Sequence, residues 1–321
     1  MSHPGRLICC ALLVIPNVAL AQWSVQEDNG NLAVWVPSHR RSDDNYTQGL
    51  RVTGDIAHPW KLFARALTSA PFCGVQPVAD GESCATQRFA FGQEIYTPTR
   101  SPVDPRPGQR PYAGWLYGEL TTSTVSGARW RGLTTDLGVI GPPSLAGWVQ
   151  NTFHQITRLG PPVPGWRHQL AFEPGLIVRY AEQYLLLEST LPHGLSFELA
   201  PDWNAAIGNV RTGTSVGARA RLGLHPETPW GDTSARPFDL YLVVGAHEDW
   251  VLRNIFLDGS TFRSSEHTQA LPFTSSYDVG PAARVFGYTV ELRLTTQTRE
   301  YRGGPVARFV GSVIVGHIAT W

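Results

Sequence analysis

Apolar and polar residues alternate along most of the chain, in stretches separated by turn residues. Val290, Leu292 and Leu294 fall on one face of such a stretch, while Glu291 and Arg293 fall on the other. A period of two residues is typical of β-strands. The pattern predicts strands at residues 24–37, 45–56, 87–96, 111–125, 127–139, 166–181, 183–191, 194–208, 213–225, 237–250, 282–299 and 305–321. These are 12 stretches, an even number, and bacterial single-chain membrane barrels have an even number of strands.

This alternation fits two kinds of all-β protein. A membrane barrel turns its apolar face to lipid, whereas a soluble β-sandwich turns it inward, and periodicity alone does not separate them. An export signal, an aromatic last residue and charged residues on the polar face favour the barrel. Unpaired backbone groups are costly in lipid, so the sheet must close. We therefore predict an all-β fold, a transmembrane antiparallel β-barrel of about 12 strands.

One segment in the middle of the chain has helical periodicity instead. Ser144 and Gly160 are suitable residues for the start and stop of a helix between them. Apolar residues recur at helical spacing at Leu145, Trp148, Val149, Thr152, Phe153 and Ile156. The opposite side carries Gln150, Asn151, His154 and Arg158. This predicts one amphipathic helix at 144–158. The polar, irregular segment 252–281 predicts a long external loop with some strand extension.

The two ends of the chain indicate export to the outer membrane. Arg6 precedes a short apolar run, and residues 19–21 read Ala-Leu-Ala, which predicts a signal peptide at 1–21 cleaved after Ala21. The run is shorter than the roughly 20 apolar residues of a spanning helix. The remaining residues, 22–321, form the predicted barrel. The last strand ends at Trp321, which resembles the signature that directs outer-membrane barrels to the barrel assembly machinery.

Composition and charge narrow the class further. Lys and Arg together number 26, as do Asp and Glu, so the charge balance gives no support for a nucleic-acid partner. Only 16% of residues are charged, while 32 glycines and 11 tryptophans fit tight turns and aromatic girdles. Cys73 and Cys84 bracket a loop of turn residues, and we expect them to pair in an oxidising compartment. A metal site is the alternative, but no His or third Cys lies nearby.

Candidate chemistry lies on the predicted helix and beside the first two strands. Gln150 and His154 are four residues apart and therefore share a helix face, where the histidine can accept a proton from water or simply anchor the helix. Oxygen-rich residues occur at Gln26, Glu27, Asp28, Asn29, Asp43, Asp44, Asn45 and Thr47. Calcium takes six to eight oxygen ligands, so these clusters are either a calcium site or two polar turns.

Several longer motifs resemble one family. They read FGQEIYTP, RPYAGWLYGEL and LGVIGPPSLAGWVQNTFH, at 91–98, 110–120 and 137–154, with GWRHQLAFEPGL and NIFLDGSTF after them. The chain is identified by them as a member of the lipid A 3′-O-deacylase family of outer membranes. The resemblance implies a twelve-stranded barrel with its site near the outer end, between the barrel wall and a helix. It also implies calcium-dependent hydrolysis of the ester that holds the 3′ acyloxyacyl chain of lipid A in lipopolysaccharide.

The resemblance also implies roles for individual residues. The catalytic histidine of the family falls on His154, its glutamine on Gln150, and the threonine of its Y-T-x-G motif on Thr47. Its N-terminal Asn-Asp pair falls on Glu27 and Asp28, so Asp28 matches and Glu27 does not. A carboxylate that follows the histidine in characterised relatives has no counterpart in residues 155–165. We therefore expect Glu173 or a backbone carbonyl to orient the histidine.

The resulting hypothesis is a hydrolase in which Asp28, helped by Glu27 and a carbonyl near Thr47, binds calcium. His154 activates a water molecule, and Gln150 positions that water or helps to hold the oxyanion. Arg100, Arg106 and Arg110 are candidates for binding the glucosamine phosphates of lipid A, with ordinary charges at the barrel rim as the alternative.

Two other functions are compatible with the sequence. One is a serine esterase of the outer-membrane phospholipase type, for which Ser38 beside His39, or Ser144, would supply the nucleophile. The other is a non-catalytic pore or structural barrel, against which the mid-chain helix argues.

Overall fold

The structure is a computed structural model that describes residues 22–42, 44–56, 59–61, 65–73, 83–104, 106–158, 160–224 and 238–318. The predicted signal peptide at 1–21, with its cleavage site after Ala21, lies outside the described residues, and so do Asp43 and Trp321.

The described residues form one antiparallel sheet that closes on itself. The strands are β1 Gln22–Asn29, β2 Asn45–Asp55, β3 Ala85–Thr97, β4 Ala113–Ser126, β5 Arg129–Ile140, β6 Glu173–Tyr184, β7 Leu187–Thr190, β8 Leu195–Gly208, β9 Arg211–Leu224, β10 Phe238–Asn254, β11 Phe273–Val285, β12 Tyr288–Thr298 and β13 Ala307–Ile318. β1 pairs with β13, and β6 pairs with β8. The short β7 pairs with β8 alone, outside this circuit. The predicted barrel of 12 antiparallel strands is thereby confirmed.

Two of the predicted elements were wrong, and their effects on the strand number cancel. The stretch 183–191 contains the last two residues of β6 and the four residues of β7, which is not a barrel strand. The predicted loop 252–281 contains most of β11, which is polar and includes Pro281. Proline lacks a backbone donor, and the β11–β12 pairing omits Gly280 and Pro281, so the strand tolerates it.

The two faces of the sheet differ as the alternation predicts. Large apolar side chains exposed on the outer face include Phe89, Phe91, Leu137, Leu176, Ile207, Leu222, Leu240, Leu242, Val244, Val290 and Leu292. Ion pairs within the lumen join Arg51 to Glu119, Arg179 to Asp136, Arg211 to Glu94, Arg219 to Asp278 and Arg284 to Asp239. An apolar outside and a charged inside are what lipid around a barrel requires.

Two α-helices lie near one end of the barrel. α1 spans Ala146–Thr157, within the predicted 144–158, and α2 spans Ile255–Asp258. The prediction that Ser144 caps α1 was wrong, because the N-cap is Leu145 in a left-handed conformation (φ 59°). The Ser144 hydroxyl instead donates to the Gly141 carbonyl, at 2.6 Å. Among the described residues, no helix is long and apolar enough to cross a membrane.

The two ends of the barrel are named by what they carry. The helix end bears α1, α2 and the segments 98–112, 141–172, 255–272 and 299–306. The terminal end bears Gln22 and Ile318, which are paired between β1 and β13. The segment between β2 and β3 also lies at the terminal end, and there Cys73 and Cys84 are joined by a disulfide bond.

Candidate active site

The start of α1 is seated on the outer face of the barrel wall. Ile95 alternates along β3 with Glu94 and Tyr96, which line the lumen, so it points outward. Ile95 packs in one buried cluster with Ala146 of α1 and with Trp166. These contacts place the helix outside the barrel rather than in its lumen.

Close approach to the wall depends on a glycine in β4. A Cβ at Gly114 would lie 2.1 Å from the Ser144 hydroxyl and 2.3 Å from the Cβ of Ala146. Gln93 of β3 also donates a hydrogen bond to the Ser144 carbonyl, at 2.6 Å. The beginning of α1 is therefore fixed to β3 and β4.

The apolar stripe of α1 faces away from the wall. Trp148 and Ile156 are 66% and 77% exposed, Leu145 and Phe153 are also exposed, and Gln150 is buried. A helix on a water-soluble protein would bury such a stripe. Here most of the stripe continues the lipid-facing surface of the strands, whereas Val149 packs against the buried cluster that seats α1 and Gln150 is buried.

Gln150 and His154 are both held by the segment that follows α1. The indole of Trp166 donates a hydrogen bond to Gln150 Oε1, at 2.6 Å. His154 Nδ1 lies 2.8 Å from the carbonyl oxygen of Pro161. A carbonyl only accepts, so Nδ1 carries the proton and Nε2 of the neutral ring is left as the basic nitrogen. The segment itself is tied to the helix because Val163 N donates to Asn151 Oδ1, at 2.7 Å.

His154 is therefore oriented by a backbone carbonyl, one of the two expected alternatives. The other alternative, Glu173, accepts hydrogen bonds from Asn209 Nδ2 and from the backbone N–H of Thr261.

The outer face of β1 and β2 supplies polar groups beside this cluster. Gln48 pairs with Ile95 in the sheet, directly next to the cluster that seats α1. Its side chain shares a hydrogen bond with Glu27. The Thr47 hydroxyl is 2.8 Å from that of Thr97, and the Thr47 carbonyl accepts from Asn29 Nδ2 at 3.1 Å.

Glu27 and Asp28 do not lie on the same face. They are consecutive in β1, and side chains of consecutive strand residues point to opposite sides. Asp28 lines the lumen and accepts hydrogen bonds there from Gln26 Nε2 (2.9 Å) and the Tyr46 hydroxyl (3.0 Å). The structure therefore does not bring together the two carboxylates predicted to share calcium. Among the described residues, no group of three or more His, Cys, Asp or Glu side chains could hold a metal ion.

The three predicted phosphate-binding arginines fall in different environments. Arg100 and Arg106 are exposed at the helix end. Arg110 is only 1% exposed, contrary to the expectation that it meets lipid phosphates, and it pairs with Glu300 at 3.2 Å. Burial lowers the pKa of Arg110. Burial would raise the pKa of Glu300, but the charges of Arg308 and Arg110 hold it below its usual value.

The lumen is filled at the helix end rather than open. Ile255, Phe256 and Leu257 of α2 are buried, and Phe256 stacks on Tyr96 with ring centroids 4.1 Å apart. Below them lies a polar cavity of about 410 Å³. A lumen occupied by side chains in this way is poorly suited to steady conduction.

The serines that would serve a nucleophilic mechanism are poorly placed. Ser144 is fully buried, and its hydroxyl donates to Gly141. Ser38 is exposed in a 3-10 turn at Ser38–Arg40.

Sequence reasoning missed two residues that organise the site. Trp166 fixes Gln150, and its only signal was its place in the family motif GWRHQL. Tyr46 fixes Asp28 from across the strand pair, and its signal was the Y-T-x-G motif, read only for its threonine.

The fold and this site define an outer-membrane β-barrel with a histidine and a glutamine held on an external helix. The sequence profile of the outer membrane protein LpxR family matches residues 7–317. The chain therefore belongs to that family. Its members are outer-membrane lipid A 3′-O-deacylases, which are carboxylic ester hydrolases, and this confirms the family and the enzyme class predicted from the sequence.

One solved structure supports the same fold. The chain superimposes on LpxR from Salmonella typhimurium with a TM-score of 0.74 and 19% identity, over 92% of this chain and 99% of that one. The β domain of the Bordetella autotransporter BrkA gives a TM-score of 0.45 at 10% identity, over 93% and 98% of the two chains. No curated protein sequence matches the chain.

Proposed function

We propose that this deacylase hydrolyses the ester of the 3′ acyloxyacyl chain with a water molecule activated by His154, in a calcium-dependent reaction. The observation that carries the proposal is the fixed His154 ring. Its Nδ1 is bound to the Pro161 carbonyl, and its Nε2 has no hydrogen-bond partner among the described residues. A neutral imidazole held this way is suited to take a proton from water as the water attacks the ester carbonyl.

Gln150 is proposed to position the water or the ester oxygen. Trp166 occupies its carbonyl oxygen, so the amide group is held in one orientation with its N–H bonds as donors. A donor fixed before the reaction stabilises developing negative charge without reorganising. The lipid-facing stripe of α1 supports lipid A as substrate, because acyl chains in the membrane would lie along Trp148 and Ile156.

Glu27 is the proposed calcium ligand, together with neutral oxygens on the outer faces of β1 and β2. A carboxylate on a lipid-facing surface is unfavourable without a function. The donor atoms on this face are oxygens, which calcium prefers. With one carboxylate among them, coordination positions are left for water and for substrate oxygens. Bound calcium would polarise the ester carbonyl. We leave Asp28 out of this calcium shell because its carboxylate faces the lumen and accepts a hydrogen bond from Tyr46 there.

The purified barrel tests this proposal directly. We expect lipid A incubated with it to lose the 3′ acyloxyacyl mass in the presence of calcium and to keep it in the presence of a calcium chelator. Equal loss with chelator would contradict the calcium requirement. Inactivation by a serine-directed organophosphate would instead favour a serine nucleophile.

Trp166→Phe tests the proposed role of Gln150. The indole donor is lost while an aromatic ring remains, so we expect kcat to fall about 10-fold with little change in KM. The measurement is steady-state deacylation of lipid A. Trp130→Phe, at the terminal end, is the matched control and should keep wild-type kcat. An unchanged kcat in Trp166→Phe would show that the hydrogen bond from Trp166 does not position Gln150 for catalysis.

We also propose that the chain is cleaved after Ala21 and inserted by the barrel assembly machinery. N-terminal sequencing of the protein from outer membranes should begin at Gln22, and any other start would contradict the cleavage site.

A further inference from the structure

A contact in the lumen lies directly behind the outer-face residues of the site. The Tyr46 hydroxyl donates to Asp28 Oδ2 at 3.0 Å, and Gln26 Nε2 donates to both carboxylate oxygens, at 2.9 and 3.2 Å. Tyr46 also packs against Tyr96, and the Arg308 guanidinium lies 5.4 Å from the centre of its ring. Tyr46 is thus held in place on the lumen side.

The bond between Tyr46 and Asp28 requires glycine at position 49. Asp28 and Gly49 are paired residues of β1 and β2. A Cβ on Gly49 would lie 1.8 Å from the Tyr46 hydroxyl oxygen and 3.1 Å from Asp28 Oδ2. The tyrosine ring therefore folds over the glycine to reach the carboxylate. This gives a physical reason for the tyrosine and the glycine of the Y-T-x-G motif.

Thr47 forms a β-bulge in β2, next to the contact between Tyr46 and Asp28. The pairing of β2 with β3 shifts register between Tyr46 and Gln48, so Thr47 is the extra residue. A bulge redirects side chains at one point in a strand and is often found beside active sites. Tyr46 is held from the lumen, while Thr97 and Asn29 hold Thr47 from the outside.

We propose that Asp28 is a positioning residue, which acts from the lumen through Tyr46 to fix the bulge at Thr47 and thereby orients the outer face of β2. The proposal rests on the function proposed above. Asp28 then acts through the strand rather than as a ligand in the calcium shell. A slip of one residue in β2 would turn outward-facing side chains such as Gln48 toward the lumen, so holding the register holds the site.

Three variants and one control test the proposal. Tyr46→Phe removes the hydroxyl, and Gly49→Ala forces the hydroxyl away while Asp28 and Tyr46 both remain. Asp28→Asn keeps an oxygen that accepts from Tyr46. Tyr180→Phe is the control, because it removes another tyrosine–carboxylate bond, to Glu182, near the terminal end.

The readouts are kcat, the calcium concentration that gives half-maximal activity, and hydrogen–deuterium exchange of residues 45–50. Heat-modifiable migration of each variant shows that its barrel is folded. We expect Tyr46→Phe and Gly49→Ala to lower kcat about 10-fold and to speed exchange in 45–50. Asp28→Asn should lower kcat less than about threefold and shift the half-maximal calcium concentration less than about twofold. Tyr180→Phe should match the wild type in every readout.

Two results would overturn the proposal. One is a tenfold or greater rise in the half-maximal calcium concentration in Asp28→Asn with wild-type kcat in Tyr46→Phe, which would make Asp28 a metal ligand. The other is unchanged exchange in 45–50 in both Tyr46→Phe and Gly49→Ala. The exchange measurement does not require activity, so it decides this proposal even if wild-type protein fails to deacylate lipid A.

Discussion

His154→Ala is expected to lower kcat for lipid A deacylation by about 10³-fold while leaving the barrel folded. Loss of a general base costs roughly 10² to 10⁴ in rate. Among the described residues the side chain makes one hydrogen bond, to the Pro161 carbonyl, and α1 is held to the wall by contacts elsewhere. The substitution therefore removes the base without removing the helix.

The matched control for this variant is Gln155→Ala, the next residue on the same helix, which is exposed. Release of the acyloxyacyl product is measured for both variants, with heat-modifiable migration as the test of folding. Wild-type rates in Gln155→Ala and loss in His154→Ala support the assignment. Retained activity in a folded His154→Ala barrel would remove the histidine from the mechanism.

Glu27→Gln is expected to raise the calcium concentration for half-maximal activity by at least about 30-fold. The substitution keeps the size of the side chain and its capacity to bond to Gln48, and it removes the negative charge that the carboxylate would offer to calcium. Calcium affinity depends strongly on the number of charged ligands. The barrel should remain stable, because neutralising an outward-facing carboxylate favours its place in the membrane.

Calcium titrations of activity and calorimetric titration of the folded barrel with calcium measure this effect. Glu188→Gln, which removes an exposed carboxylate at β7, should leave both titrations unchanged. A Glu27→Gln titration that overlays the wild type would place the ion elsewhere.

The fold was readable from the sequence because lipid and lumen impose a simple pattern on strands. Val290 and Leu292 face outward in the structure, while Glu291 and Arg293 pair with each other on the lumen side, as their alternation in the sequence predicts. β11 escaped because Pro281 and its polar residues resemble a loop. In the structure β11 is a strand, and its pairing with β12 is interrupted at Gly280 and Pro281.

The helix was predicted correctly, but its orientation depends on the solvent around it. The stripe at Trp148 and Ile156 is the same whether water or lipid surrounds the barrel. In water the stripe would pack inward, and in lipid it is exposed, as found here. Periodicity locates an amphipathic helix without saying which face meets the protein.

The pair on one helix face, Gln150 and His154, was accessible to sequence reasoning because the helical period fixes it. The relation of Glu27 to Asp28 also follows from strand alternation, but the family motif suggested a shared ion. Partners distant in sequence were not accessible. The buried Arg110 pairs with Glu300, which lies 190 residues away along the chain.

The most direct test of the central claim is mass spectrometry of lipid A from a heterologous Gram-negative host that expresses this chain. Membranes are incubated with calcium, and a folded His154→Ala barrel serves as the reference. We expect the 3′ acyloxyacyl mass to be lost with the wild-type chain and kept with the variant. Lipid A unchanged by a folded wild-type barrel in the presence of calcium would contradict the assignment of this chain as a lipid A 3′-O-deacylase.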